Sequence, residues 1–92
     1  MSKVIITTTE GATQTATILP IDRVMFERHF GKSVGAIAKE EREEFLLWIS
    51  WHAIKRQGGT ALEFDGWLTS VADYDSEADD LPPLDPAASP TP

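Results

Sequence analysis

The stretch Phe45-Leu-Leu-Trp-Ile-Ser-Trp-His-Ala-Ile54 is apolar at nearly every position. It is preceded by Lys39-Glu-Glu-Arg-Glu-Glu44 and followed by Lys55-Arg-Gln-Gly58. Acids at the front, bases at the back and a glycine stop mark a helix aligned with its own dipole. A helix that is apolar on all sides must be surrounded by other elements. The second half of this helix is therefore the central pillar, and the rest of the chain is what covers it.

On the N-terminal side, Lys3-Val-Ile-Ile-Thr-Thr-Thr9 and Thr13-Gln-Thr-Ala-Thr-Ile-Leu19 are rich in β-branched residues and flank Glu10-Gly-Ala12. That pattern predicts a β-hairpin over about 3–19, with Val4 and Ile6 on one face of the first strand and Ala16 and Ile18 on one face of the second. A lone hairpin is marginally stable in water, so it rests on helices or pairs with another chain. Its unpaired edges make it the candidate surface for self-association, with a hairpin packed on its own helices as the favoured alternative.

Pro20 opens a helix over about 20–30, with Asp22 in its first turn and Gly31 at its end. Ser33 caps a further turn, Val34 to Ala38, that leads into the pillar and gives helix over 33–57. Thr60-Ala-Leu-Glu63 has capping-box spacing, and Phe64, Trp67, Leu68 and Val71 follow at i, i+3, i+4 and i+7, predicting a last helix over 61–72. The expected class is α+β, a hairpin followed by a small bundle of three to four helices in one domain over 1–75.

Charge divides the chain unevenly. Of 15 acidic and 8 basic residues in the 92, the first 72 residues hold all 8 bases and 9 of the acids. The remaining stretch carries Asp73, Asp75, Glu77, Asp79, Asp80 and Asp85 without a base, together with five of the six prolines. Such a composition sustains neither helix nor sheet, so 76–92 is expected to be a disordered acidic, proline-rich tail. A formal net charge of -7 opposes nucleic acid and anionic membrane surfaces as partners. No apolar run is long enough to span a bilayer, and Met1-Ser2-Lys3-Val4 is unlike a secretory leader, so a soluble cytosolic protein is expected.

The residues offer little for catalysis. There is no cysteine, and His29 and His52 are the only histidines, without ligand spacing around either, so both are read as structural. Glu40-Glu41 and Glu43-Glu44 occupy the solvated front of a helix, and the Asp73 to Asp80 run lacks the glycine and terminal glutamate of a calcium loop. No phosphate loop or nucleophile motif occurs, so neither an enzyme nor a cofactor nor a metal is expected. The remaining feature is aromatic. Trp48 and Trp51 are three residues apart and face one side of the pillar, where Phe64 and Trp67 of the next helix can meet them. They form either a tryptophan-lined core or a partly open groove for an apolar segment of another protein.

The order of these features resembles the small tail assembly chaperones of long-tailed bacteriophages, particularly those of actinobacteria. The resemblance covers about residues 3–75 and rests on Pro20-Ile-Asp-Arg-Val-Met-Phe-Glu-Arg-His-Phe-Gly31, Leu47-Trp-Ile-Ser-Trp-His-Ala-Ile-Lys-Arg-Gln-Gly58 and Phe64-Asp-Gly-Trp-Leu68 before an acidic, proline-rich end. Gly66 departs from the helix-forming residue expected there, at a cost of about 1 kcal/mol. The resemblance implies a non-enzymatic protein of the host cytoplasm that binds the tape measure protein, keeps it soluble, assists tail-tube subunits and is absent from the mature virion. It also implies a longer product made by ribosomal frameshifting. On that view Trp48, Trp51, Phe64 and Trp67 contact the partner. Two other classes compete: an acidic inhibitor imitating nucleic-acid charge, which the near balance of the first 72 residues disfavours, and a minor structural tail or connector protein.

Overall fold

A computed structural model describes residues 3–76. Strands β1 (Lys3–Thr8) and β2 (Thr13–Thr17) precede helices α1 (Pro20–Phe30), α2 (Gly35–Glu40), α3 (Glu43–Arg56) and α4 (Phe64–Leu68), and a third strand, β3 (Val71–Ser76), follows. The protein is α+β. Its sheet is antiparallel in the order β2-β1-β3.

The hairpin forms as its alternation predicts. Thr8 N–H donates to the Ala12 carbonyl and Gly11 N–H to that of Thr8, with Gly11 at φ 86° in the left-handed region that glycine tolerates. Val4, Ile6, Ala16 and Ile18 are buried, while Thr13, Thr15 and Thr17 face solvent on the other side. Helix α1 keeps its predicted limits because Pro20 starts it and Gly31, at φ 68°, receives the chain into a left-handed turn as its N–H caps the Glu27 carbonyl. Helix α3 is the pillar, touching β2, α1, α2 and α4 and burying Phe45, Trp48, Ile49, Trp51, Ala53 and Ile54.

Three expectations are corrected. The helix over 33–57 is two helices, broken where Glu41 adopts φ 54° and Arg42 is extended. A continuous helix would stack Glu40 and Glu41 on Glu43 and Glu44 at like-charge spacings. The break gives these acids separate partners instead: Glu40 meets Lys32 at 3.0 Å, Glu44 meets Arg42 at 3.7 Å and Glu43 accepts the Tyr74 hydroxyl at 2.9 Å.

The helix over 61–72 shrinks to Phe64–Leu68. Thr60 Oγ1 accepts the Leu62 N–H in a tight turn, and Glu63 reaches Lys55 at 2.8 Å rather than closing a capping box. From Ser70 onward the chain pairs with β1, with Val71 opposite Thr8 and Ser76 opposite Val4. Ser76, assigned to the tail from sequence, is thus the last residue of a strand, and the rest of that predicted tail, 77–92, lies outside the described residues.

Both edges of the hairpin are covered within the chain. Strand β3 occupies the far side of β1. On β2, the Gln57 carboxamide donates to the Thr15 carbonyl at 2.9 Å and accepts the Thr17 N–H at 2.8 Å, as the peptide group of a further strand would. Arg56 covers the Thr17 carbonyl. Gln57→Ala should lower the unfolding free energy by about 1 kcal/mol, read as a lower urea midpoint at unchanged slope. It should also produce concentration-dependent association in sedimentation, because an uncovered edge templates strand addition.

Candidate functional site: an acidic aromatic groove

A groove of about 410 Å³ opens where α1, α3 and the start of α4 meet. His29 comes from the last turn of α1, Glu44, Trp48 and Trp51 from α3, and Glu63, Phe64 and Asp65 from the entry to α4. The α4 side is fastened to α3 by the Trp51 indole N–H, which donates to the Leu62 carbonyl at 2.9 Å. Lys55 adds a second tie, with its ammonium 2.8 Å from Glu63 and 5.2 Å from the centre of the Trp51 ring.

The rings of the groove are inclined to one another. Trp48 and Trp51 are 5.7 Å apart at 60°, and Trp51 and Phe64 are 5.7 Å apart at 61°. His29 lies nearly flat on Trp48, at 4.7 Å and 15°. The result is an apolar floor with three carboxylates at its margin.

Three of the four residues singled out from sequence, Trp48, Trp51 and Phe64, line this groove. Trp67 does not. It is 1 % exposed and its indole N–H reaches Gln14 of β2 at 3.3 Å, which places it between the last helix and the sheet. Nor does tryptophan density leave the rings uncovered, since Trp48 and Trp51 are 7 % and 8 % exposed and offer only their groove-facing margins. His29, Glu44, Glu63 and Asp65 escaped the sequence reading as groove residues. The acids look like ordinary solvated helix ends, and only the fold gathers them.

Behind the groove lies a polar cluster. Asp22 is completely buried and accepts hydrogen bonds from Leu19 N–H at 2.8 Å, His52 Nδ1 at 2.7 Å, and Arg56 Nε and Nη2 at 3.1 and 2.9 Å. Burial raises its carboxyl, but the Arg56 hydrogen bonds, the Leu19 and His52 hydrogen bonds and the Arg56 charge together outweigh this and hold it below its ordinary value. Asp22 is thus an anionic acceptor, so His52 Nδ1 carries the proton between them. His52 in turn lies 5.4 Å from Trp48 at 21°, which links the cluster to the groove floor. Among the described residues, no group of three histidine or acidic side chains has the arrangement to hold a metal ion.

No family model, curated protein or solved structure matches the chain. Among the described residues no helix is long and apolar enough to cross a membrane.

Proposed function

We propose that this protein is a tail assembly chaperone of a long-tailed bacteriophage, which binds the tape measure protein and keeps it soluble while tail-tube subunits assemble around it. The observation that carries this reading is the groove, an apolar recess of a size suited to side chains of a bound segment and lined by Trp48, Trp51 and Phe64. The resemblance of the sequence supplies the identity of the partner. The protein acts in the host cytoplasm and leaves the tail before the virion is complete, and the acidic composition of 77–92 keeps the complex from aggregating by charge repulsion.

Phe64→Ala tests the reading, because Phe64 is half-buried at the groove and its loss leaves the sheet intact. Co-expressed with the tape measure protein, the folded variant should leave severalfold less of that protein in the soluble fraction than the wild type does. Equal solubility would overturn the assignment of the groove. Mass spectrometry of purified particles separates a chaperone from a structural tail component, which would be found in them.

A further inference from the structure

We propose that the groove seats a basic side chain, lysine or arginine, carried on an apolar segment of the partner protein. Three carboxylates, Glu44, Glu63 and Asp65, stand around the exposed margins of Trp48 and Trp51 and the half-buried ring of Phe64. Carboxylates attract a cationic head and apolar ring margins pack its stem, so together they suit an organic cation with an apolar stem.

The protein's own cations already show the arrangement at the groove's margins. Lys55 lies over Trp51 while bonded to Glu63, and Arg42 lies 5.0 Å from the centre of the Phe45 ring and 3.7 Å from Glu44. The third carboxylate, Asp65, is next to Phe64 and has no basic side chain within 4.0 Å among the described residues. That is the position an incoming cation completes. Both existing pairs are exposed, and exposed pairs are weak enough to be exchanged for a competing cation.

Charge also decides against the chain's own C-terminal segment as the occupant. Residues 77–92 carry Glu77, Asp79, Asp80 and Asp85 and no base, so like charges would meet at the groove. A second copy joined through the same surface would likewise set carboxylates against carboxylates. The choice of a protein segment as the occupant rests on the chaperone reading above.

The test uses the full chain and three synthetic peptides, acetyl-Leu-Leu-Arg-Leu-Leu-amide and its counterparts with glutamate or leucine in place of arginine. Binding is followed by NMR through the indole N–H signals of Trp48 and Trp51. The arginine peptide should shift both signals saturably and the glutamate peptide neither. The double variant Glu44→Gln, Asp65→Asn should weaken the arginine peptide by about tenfold and leave the leucine peptide unchanged.

Equal binding of the three peptides, no saturable shift with arginine, or indifference to the double variant would each overturn the proposal. Shifts centred on the exposed Leu19, Ile21 and Val24 instead of the groove would do the same. The co-expression assay is scored separately. Arginine-peptide binding without any effect on the solubility of the tape measure protein overturns the chaperone reading alone. Solubility indifferent to the double variant overturns the cation anchor alone.

Discussion

Replacing Asp22 by alanine should lower the unfolding free energy at pH 7 by about 3–5 kcal/mol, a large share of what a small domain has. The carboxylate is wholly buried, and its removal leaves the Arg56 charge, the His52 Nδ1–H and the Leu19 N–H without their acceptor. It also unties three elements at once, because Leu19 leads into α1, His52 and Arg56 belong to α3, and Arg56 continues to the Thr17 carbonyl at the end of β2. The pH dependence follows from the sign of the shift. Asp22 has a folded pKa below its unfolded value, so its contribution is fully present above the ordinary carboxylate range near pH 3.9 and is lost as pH falls through the folded pKa. Urea midpoints should therefore separate wild type from Asp22→Ala widely at pH 7 and less in strong acid. A constant gap across that range would contradict the ion pair as its source.

Trp67→Ala should be comparably damaging, by about 3–5 kcal/mol, since it opens a cavity where a large, almost fully buried ring packs and removes the bond to Gln14. Trp67→Phe retains most of the volume and should fold with a smaller loss. The pair of variants distinguishes a packing residue from a contact residue. With Trp67→Phe, urea denaturation registers the lost packing while the tape measure protein stays as soluble as with the wild type. Loss of solubility with this folded variant would return Trp67 to the binding surface.

Local pattern made much of this fold legible. The alternation of Val4 with Ile6 and of Ala16 with Ile18, the Pro20 start and Gly31 stop of α1, and the apolar run of α3 each depend on neighbours within a few residues. Strand β3 does not. Val-Ala-Asp-Tyr-Asp-Ser has no alternating apolar face, and Val71 completes a helical stripe with Phe64, Trp67 and Leu68. What makes it a strand is the open side of β1, from the other end of the described chain. The same holds for the sites. Trp48, Trp51 and Phe64 were visible as an aromatic group, whereas Asp22 reads as an ordinary first-turn acid because His52 and Arg56 are 30 and 34 residues away. The carboxylates of the groove come from two separate stretches, the start of α3 and the entry to α4, and no spacing rule joins them.

The order β2-β1-β3 also has a meaning in time. The first strand of the described chain is the middle one, and one of its two partners is the last described element. Chains emerge N-terminus first, so throughout most of translation β1 is paired on one side only. The closing contacts span nearly the whole described sequence, which makes them the slow, non-local kind. A polypeptide interrupted before Val71 would therefore keep a bare β1 edge and should aggregate, whereas one extended past Ser76 pairs β1 on both sides.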